Sequence, residues 1–138
     1  MADIPIDTNV ILRYLVEDPE SIDPKFAGVY SFFEKLETGR LAVYLPELVL
    51  FQAYFVLTSY YRVPRAEAAG KLRALLTFRG ITMSEKDIVC SCLERLETNN
   101  LDLVDAYLLA WAESKGVPGV YSFDADLASD TCDILPVK

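Results

Sequence analysis

The fold is decided by the stretch IPIDTNVILRYLV, residues 4–16. Residues 4–6 form a short apolar run that ends at Asp7, and the residues from Thr8 to Val16 continue with helical character. The stretch therefore predicts a strand, a tight turn and a helix, with Asp7 at the carboxyl end of the strand. Because the ligand crevice of an open parallel sheet lies outside the carboxyl ends of its strands, Asp7 is a candidate site residue.

Strands and helices continue to alternate along the rest of the sequence. Further strand candidates are short apolar runs, at residues 41–45, 81–83, 117–123 and 134–137. The helix candidates have apolar side chains at helical spacing and lie at residues 24–36, 46–61, 64–79, 85–96 and 101–115, with a short helical turn at 126–129. Gly39, Gly80 and Gly116 stand where helices should end, and Ser84 where one should begin. This order predicts an α/β fold, in which residues 1–138 form a single-domain three-layer sandwich with a central parallel sheet flanked by helices.

The composition excludes several classes of protein. Hydrophobic residues make up 52% of the 138, which suffices for a sizeable core, and no run of about 18 apolar residues could span a membrane. The first residues carry an acid, Asp3, where a secretory signal would carry bases. Three cysteines, Cys90, Cys92 and Cys132, are too few for a four-thiolate zinc site, and we expect reduced, mostly buried thiols. The sequence therefore predicts a cytoplasmic protein without a membrane segment.

Histidine is absent from the sequence, and its absence removes whole mechanisms. Ser-His-Asp and Cys-His nucleophilic systems, histidine general bases and HExxH zinc sites cannot be built. A metal would have to be held mainly by oxygen ligands, which favours Mg²⁺ or Mn²⁺. Since no glycine-rich phosphate loop of Walker or Rossmann spacing is present, we expect no nucleotide cofactor.

The net charge of −8 hides a separation of charge along the chain. Basic residues collect in one stretch, at Arg62, Arg65, Lys71, Arg73, Arg79 and Lys86. After Asn100, only Lys115 and Lys138 offset many acids. The basic stretch is either a solvated helix face or a surface that binds a phosphate backbone beside an acidic metal site.

Four aspartates stand where a site could form. Asp7 and Asp124 each follow a strand, and Asp102 and Asp105, three residues apart, share a face near the start of a helix. Asp7, Asp102 and Asp124 could also be ordinary helix caps. Asp105 has apolar neighbours, so its carboxylate is costly unless a positive charge lies nearby. Converging carboxylates would repel one another until a divalent cation neutralised them, an arrangement suited to phosphoryl chemistry.

Three separated segments carry a resemblance to a known family. They are IDTNVILRYL at residues 6–15, LDLVDAY at residues 101–107 and YSFDAD at residues 121–126. Together they resemble the three signature regions of the PIN domain, and the closest likeness is to the VapC toxin branch of prokaryotic toxin-antitoxin systems. Order, spacing and total length all match, so the resemblance covers essentially the whole chain.

The resemblance implies a parallel sheet flanked by helices and a metal-dependent ribonuclease site built from four acidic positions. Asp7 matches the first of these positions, Asp105 the third and Asp124 the fourth, and these three would hold Mg²⁺ or Mn²⁺ with Asp102 as a further candidate ligand. The polar residues that match supports of the carboxylates or phosphate contacts are Thr8, Asn9 and Ser122. The resemblance also implies an RNA substrate, a cognate antitoxin that holds the protein inactive, and a homodimer.

The second acidic position departs from the family pattern. That pattern places a glutamate in the helix after the second strand, and alignment of residues 45–57 puts Gln52 there. Glu47 cannot replace it, because five positions at about 100° per residue separate the two by roughly 140° around the helix. Glutamine keeps a carbonyl oxygen that accepts hydrogen bonds but removes one negative charge. Weaker metal binding follows, unless Asp102 or Asp126 supplies that charge.

Two hypotheses of function follow. In the first, the chain is an endoribonuclease that uses Mg²⁺ or Mn²⁺, with Asp7, Asp105, Asp124 and Gln52 in the catalytic site. Three arginines of the basic stretch would position the RNA: Arg62, Arg65 and Arg73. The alternative is a catalytically weakened or inactive PIN-like domain that acts as an RNA-binding or protein-binding module. In this alternative, an aromatic-rich helix is a surface for a dimer partner or an antitoxin, unless it is ordinary core. Its aromatic residues are Phe51, Tyr54, Phe55, Tyr60 and Tyr61.

Overall fold

A computed structural model describes residues 3–127 and 132–138. These residues form five short strands, which are β1 (Ile4–Pro5), β2 (Val43–Tyr44), β3 (Ile81–Thr82), β4 (Gly119–Tyr121) and β5 (Asp133–Leu135). They also form six α-helices, which are α1 (Thr8–Val16), α2 (Gly28–Thr38), α3 (Glu47–Ser59), α4 (Arg65–Leu75), α5 (Lys86–Thr98) and α6 (Leu103–Lys115). Two 3₁₀ turns lie at Pro24–Phe26 and Ala125–Leu127.

All the strand pairings within the described residues are parallel. Strands β1, β2 and β3 form one ladder in that order, with Ile4 opposite Val43 and Val43 opposite Ile81. Strands β4 and β5 form a second ladder, with Gly119 opposite Asp133. Parallel strands connected through helices confirm the predicted α/β class, and the arrangement is consistent with a three-layer sandwich. The predicted sheet is present as these two hydrogen-bonded ladders.

The strands are shorter than the sequence pattern predicted. The apolar runs at 41–45 and 117–123 contain only two and three paired residues, because the chain turns into a helix or a loop soon after each pairing. The predicted last strand, 134–137, is shifted to Asp133–Leu135 and ends before Pro136, which has no N–H to donate to a ladder. Apolar periodicity predicts where each strand lies. It does not predict how many residues of the strand pair, because pairing also depends on the neighbouring strand.

Several helix boundaries differ from the predicted ones. The predicted helix at 24–36 is divided, because Pro24 begins a separate 3₁₀ turn that Asp23 caps by accepting a hydrogen bond from the Lys25 N–H at 3.0 Å. The prediction that Ser84 caps α5 was wrong. Glu85 occupies that position, in a left-handed conformation with φ of 53° and without a side-chain cap. Of the predicted turn at 126–129, residues 128 and 129 lie outside the described residues.

The helix ends that glycine should mark are confirmed at two positions. Gly39 and Gly116 have φ of 82° and 68°, a left-handed conformation that residues with a Cβ rarely adopt. Gly80 acts differently. It lies four residues after Leu76 ends α4, and its backbone packs closely between Leu36 and Leu41.

The core is built between helices that contact one another in chain order. Helix α1 packs against α2 and α3, and α3 against α4, α4 against α5, and α5 against α6. Phe33 is fully buried in α2, and its ring stacks on Tyr14 of α1 with centroids 4.1 Å apart and planes 9° apart. Cys92 and Cys132 are buried and all three cysteines are free, as predicted. Burial raises the pKa of Cys92 to about 12, so this thiol stays neutral and unreactive.

Gly80 generates the first prediction. A Cβ at this position would lie 1.9 Å from the carbonyl oxygen of Leu41 and 2.9 Å from that of Leu36, both of which are backbone atoms. We therefore expect Gly80→Ala to lower the free energy of unfolding by about 3 kcal/mol or more, measured by urea denaturation. Gly28→Ala is the matched control, since nothing lies within 4 Å of its Cβ, and it should leave stability unchanged or raise it by up to about 1 kcal/mol. Equal effects of the two substitutions would contradict this account.

Candidate active site

Asp7 lies between β1 and α1, exposed to solvent, at the carboxyl end of its strand. Its carboxylate caps α1 by accepting a hydrogen bond from the Thr8 N–H at 2.7 Å. The strand position and the capping role, which the sequence left as alternatives, are both present. The cap fixes the orientation of the carboxylate and leaves its remaining lone pairs on the solvent side of the helix end.

Gln52 is held next to this helix end by Thr8. The Thr8 side chain is buried, and its hydroxyl donates a hydrogen bond of 2.8 Å to the carbonyl oxygen of Gln52 on α3. The residue at the second acidic position therefore lies beside the residue that follows Asp7. Its carbonyl oxygen, which sequence reasoning assigned to the metal site, accepts from the protein itself.

A second group of acids forms around the start of α6. Asp102 caps this helix by accepting a hydrogen bond from the Asp105 N–H at 2.8 Å. Burial raises the pKa of Asp105 above its ordinary value, and the negative charges of Asp102 and Asp124 raise it further. Asp105 therefore lies in the electrostatic field of both Asp102 and Asp124. The spacing of Asp102 and Asp105 predicted this for Asp102.

Asp124 is positioned by the loop that follows β4. Its N–H donates to the Ser122 hydroxyl oxygen at 2.9 Å, and its carboxylate accepts from the Asp126 N–H at 3.0 Å. Ser122 therefore orients the backbone at Asp124, and Asp126 contributes its backbone to the same turn. Like the other two capping acids, Asp124 has an oriented carboxylate that local hydrogen bonds do not saturate.

Helix α3 contacts both acidic regions, through Gln52 near Asp7 and through Glu47 at α6. The sequence did not predict the contact of Glu47. Glu47 accepts a hydrogen bond of 3.2 Å from the Tyr107 hydroxyl on α6, and the Phe51 ring lies edge-on to the Tyr107 ring with centroids 5.4 Å apart. Burial raises the pKa of Tyr107, and Glu47 raises it further. The sequence pattern excludes Glu47 from the acidic position and assigns it no partner. Its spacing of four from Phe51 was the signal that both side chains face one partner.

The donor set fits a hard divalent cation, because every candidate ligand is a carboxylate. Burial raises the pKa of Asp105 and the charges of Asp102 and Asp124 add to it, and a cation would offset those charges. Within residues 3–127 and 132–138, however, no three acidic or sulfur-bearing side chains stand close enough together to form a complete metal site. The meeting of Asp7, Asp105 and Asp124 at metal-bridging distance stays a prediction.

The basic residues proposed to bind RNA differ in what they contact. Arg73 forms a two-point ion pair with Glu97, with distances of 2.5 and 3.1 Å, so its guanidinium is already engaged. Arg65 lies at the start of α4, exposed, with its Nη1 atom 3.5 Å from Asn100. Arg62 is exposed in the turn between α3 and α4 and has a left-handed φ of 56°. Asn9 is exposed in the first turn of α1.

The aromatic residues of α3 and the turn after it divide between core and surface. Tyr54 is buried and Phe51 packs on Tyr107, whereas Phe55, Tyr60 and Tyr61 are exposed. Core packing therefore accounts for Phe51 and Tyr54, and Phe55, Tyr60 and Tyr61 are exposed, as a partner surface would require.

Acidic side chains that follow parallel strands, on an α/β fold, suit metal-assisted phosphoryl chemistry. The chain belongs to the PIN domain family, whose family model matches residues 4–130. PIN domains are generally nucleases and typically use divalent metals. No curated protein matches the chain. Within the described residues, none of the helices is long and apolar enough to cross a membrane.

The electrostatics of Asp105 generate the second prediction. Because burial, Asp102 and Asp124 all disfavour its ionised form, Asp105→Asn should raise the Tm of the protein in EDTA by about 1–3 °C. Saturating Mn²⁺ should raise the Tm of the parent chain and do so much less for this variant, since a cation that binds the folded state stabilises it. Thermal unfolding with and without Mn²⁺ measures both effects.

Glu34→Gln is the matched control for this experiment, because Glu34 is an exposed acid on α2, a helix that carries none of the candidate ligands. It should respond to Mn²⁺ as the parent does. An Asp105→Asn variant that matched the parent in both conditions would show that Asp105 neither repels its neighbours nor contributes to cation binding.

Proposed function

We propose that this protein is an endoribonuclease that hydrolyses RNA phosphodiesters with Mg²⁺ or Mn²⁺, as the toxin of a VapBC-type toxin-antitoxin pair. One observation carries the proposal, which is that acids stand after β1, after β4 and in the first turn of α6, at Asp7, Asp124 and Asp105, on the fold of a family of nucleases. Asp105 and Asp124 lie in two of the segments, residues 101–107 and 121–126, that resemble the VapC branch. Membership of a family of nucleases supports the reaction class.

Each site residue has a role that its contacts support. Asp7, Asp105 and Asp124, with Asp102, would hold the ion, which when bound supplies Lewis-acid stabilisation of phosphate charge and lowers the pKa of water. Three polar residues, Thr8, Asn9 and Ser122, support these acids. Thr8 fixes Gln52, Ser122 orients the backbone of Asp124, and the exposed Asn9 amide is free to meet a phosphate oxygen.

The proposed RNA contacts are Arg62 and Arg65, which are both exposed around the turn between α3 and α4. Arg73 has a different role in this proposal. Its pair with Glu97 joins α4 to α5 and stabilises the helix that carries Arg65. A phosphate backbone would gain local attraction from the two exposed arginines in spite of the net negative charge of the chain.

The proposal includes two protein partners, a cognate antitoxin and a second copy of this chain, in the cytoplasm. An exposed apolar stripe on α6 supports them, since Val104, Leu108 and Trp111 lie at helical spacing on one face. Leu48 on α3 is more exposed still, at 81%. Such surfaces on a protein of this size favour protein contacts, and free thiols fit a reducing compartment.

A second candidate function rests on Gln52. Its carbonyl oxygen is occupied by Thr8, and an amide carries no charge. A PIN domain with this residue could bind RNA or a protein without efficient cleavage. The two functions differ in their response to substitutions at Asp7 and Gln52.

Asp7→Asn generates the third prediction. Asparagine caps a helix about as well as aspartate, so the Tm of the variant in EDTA should stay within a few degrees of the parent. Loss of the carboxylate should lower cleavage of a labelled single-stranded RNA in Mn²⁺ at least about a hundredfold, the size that loss of one electrostatic catalytic group commonly has. Asp18→Asn, which changes an exposed acid in the loop after α1, should cleave as the parent does. Cleavage by Asp7→Asn at the parental rate would mean a contaminant or another site.

Gln52→Glu generates the fourth prediction. A glutamate keeps the acceptor for the Thr8 hydroxyl and adds a charge near Asp7. If that charge gains a modest interaction with the cation, Mn²⁺ affinity should rise about tenfold, which is about 1.4 kcal/mol, and cleavage at limiting Mn²⁺ should rise with it. Calorimetric titration and a cleavage assay measure the two effects.

Glu34→Gln is the control, because it removes the charge of an exposed acid on α2, a helix that carries none of the candidate ligands, and it should not change Mn²⁺ affinity. If neither the parent nor Gln52→Glu binds Mn²⁺ or cleaves RNA, the nuclease mechanism is excluded for this chain and the binding-module function takes its place.

A further inference from the structure

The hydrogen bond between Thr8 and Gln52 decides which end of the Gln52 amide the site can use. The Thr8 side chain is buried, and within the described residues Gln52 is the one hydrogen-bond partner of its hydroxyl. A buried hydroxyl has a proton to donate, and of the two ends of an amide only the carbonyl oxygen can accept it. The oxygen of Gln52 therefore faces Thr8, and the NH₂ group is the opposite end of the amide.

The NH₂ group of Gln52 is the part of this side chain that the protein does not use. Gln52 is exposed, and its amide nitrogen has no hydrogen-bond partner in residues 3–127 and 132–138. An amide NH₂ group carries two protons to donate and does not act as an acceptor, so it is not a ligand for a cation. At the second acidic position of the family pattern, the chain therefore presents a hydrogen-bond donor in place of a metal ligand.

The position of this donor indicates what it binds. Thr8, which holds Gln52, directly follows Asp7, so the donor lies at the end of α1 where the first acid stands. The Asp7 carboxylate accepts from the Thr8 N–H, and in the described part of the chain no hydrogen bond joins it to Gln52. The proposed reaction brings one further anionic acceptor to Asp7, which is the phosphate of the RNA. Hydrogen bonds from neutral donors to phosphate oxygens are common in nucleic-acid binding and are strengthened by the charge of the acceptor.

We infer that Gln52 binds the RNA phosphate, by donating a hydrogen bond from its NH₂ group to a non-bridging oxygen of the phosphodiester on which the aspartates act. The inference rests on the proposed function and assigns Gln52 to the substrate, not to the cation. Thr8 is a positioning residue, because its hydroxyl holds the amide in the orientation that presents the NH₂ group. A neutral donor attracts a phosphate at a position where a glutamate would repel it.

The first test compares RNA binding and cation binding on the same variants. Gln52→Leu removes the amide, and Gln52→Glu replaces the donor with a negatively charged acceptor. Ser31→Glu is the control for added charge, because Ser31 is exposed on α2, a helix that carries none of the candidate ligands. The probes are fluorescein-labelled octanucleotides of U, C, A and G, whose binding is followed by fluorescence anisotropy in EDTA at low salt. Calorimetry measures the affinity for Mn²⁺.

We expect Gln52→Leu to weaken binding of the octanucleotides about tenfold, the effect of losing one hydrogen bond to a charged group. Gln52→Glu should weaken it at least as much, since its carboxylate repels the phosphate. Ser31→Glu should bind RNA as the parent does. Gln52→Leu should keep the parental affinity for Mn²⁺, whereas Asp105→Asn should lower it.

The second test addresses the role of Thr8. Thr8→Val removes the hydroxyl and keeps the shape of the side chain, so the amide of Gln52 is free to turn, and RNA binding should weaken about threefold. Thr8→Ser keeps the hydroxyl and should restore parental binding. In the Gln52→Leu background, Thr8→Val should weaken binding no further, because the two residues act through one contact. A purely structural role of Thr8 would lower the urea midpoint without this dependence on Gln52.

Nuclear magnetic resonance tests the contact itself. Gln52 is the only glutamine of the sequence, so its NH₂ signals are identified by their loss in Gln52→Leu. The probes are 2′-O-methyl diuridine with a phosphodiester and the same dinucleotide with a neutral methylphosphonate, both in EDTA. The phosphodiester should move one of the two Gln52 NH₂ protons downfield, and the methylphosphonate should move it by about half as much or less, because hydrogen bonds to charged acceptors are stronger.

Four results would overturn the inference. One is parental RNA affinity in both Gln52→Leu and Gln52→Glu. Another is an equal shift of the NH₂ signal with both dinucleotides, which would place a base or a sugar against the amide. A third is a loss of Mn²⁺ affinity in Gln52→Leu as large as that in Asp105→Asn, which would make Gln52 a cation ligand. The last is a parent chain that binds none of the four octanucleotides.

Failure of the proposed function is distinguishable from failure of this inference. A parent chain that binds RNA in a way that depends on the Gln52 amide but cleaves none in Mn²⁺ supports the phosphate contact and removes the nuclease activity. A parent chain that cleaves RNA, while Gln52→Leu binds and cleaves it with unchanged KM, keeps the nuclease activity and removes the phosphate contact.

Discussion

The hydrogen bond from Thr8 to Gln52 is the interaction on which the geometry of the acidic edge depends. A buried hydroxyl needs a partner, and Gln52 supplies it at 2.8 Å from across the contact between α1 and α3. Because Thr8 directly follows Asp7, the same bond fixes where the first acid stands relative to α3. Through Glu47 and Phe51, α3 also fixes Tyr107, two residues after Asp105. One helix thus sets the positions of two acidic groups that are far apart in sequence.

The second constraint is the cost of collecting negative charge in a chain whose net charge is already −8. Asp7, Asp102 and Asp105 lie at helix N-termini, where the helix dipole and free N–H groups stabilise anions. That help does not suffice at Asp105, whose pKa remains raised. A glutamine at position 52 avoids adding one more charge to this edge. The uncharged residue favours the stability of the protein without metal, whereas a glutamate would favour affinity for a cation. Stability and cation affinity therefore oppose each other at this position.

The sequence predicted the order of elements well because apolar periodicity reflects burial, and burial decides which segments become strands and helices. It did not decide the roles of Asp7, Asp102 and Asp124, because a helix cap and a metal ligand can both be an aspartate at the same position. It failed at Ser84, because a favourable capping residue does not form a cap when the backbone enters α5 through a left-handed residue. It also missed the bond of Glu47 to Tyr107, which depends on a partner sixty residues away. The spacing of Glu47 and Phe51 marks a shared face of α3, but no local pattern identifies the partner of such a long-range contact.

Gln52 and Tyr54 show that two polar groups on a single helix can differ in whether the protein itself supplies a hydrogen-bond partner. The two residues lie two positions apart on α3, yet the exposed Gln52 has a polar group bonded to the buried Thr8, and Tyr54 has a buried hydroxyl without a partner in the described part of the chain. A satisfied polar group such as the Gln52 carbonyl can be retained for folding alone, because its loss leaves the buried Thr8 hydroxyl without an acceptor. An unsatisfied one lowers stability, so folding alone gives no reason to keep it. The Tyr54 hydroxyl is therefore a cost that the burial of its aromatic ring must outweigh, whereas Gln52 contributes to the fold through its partner.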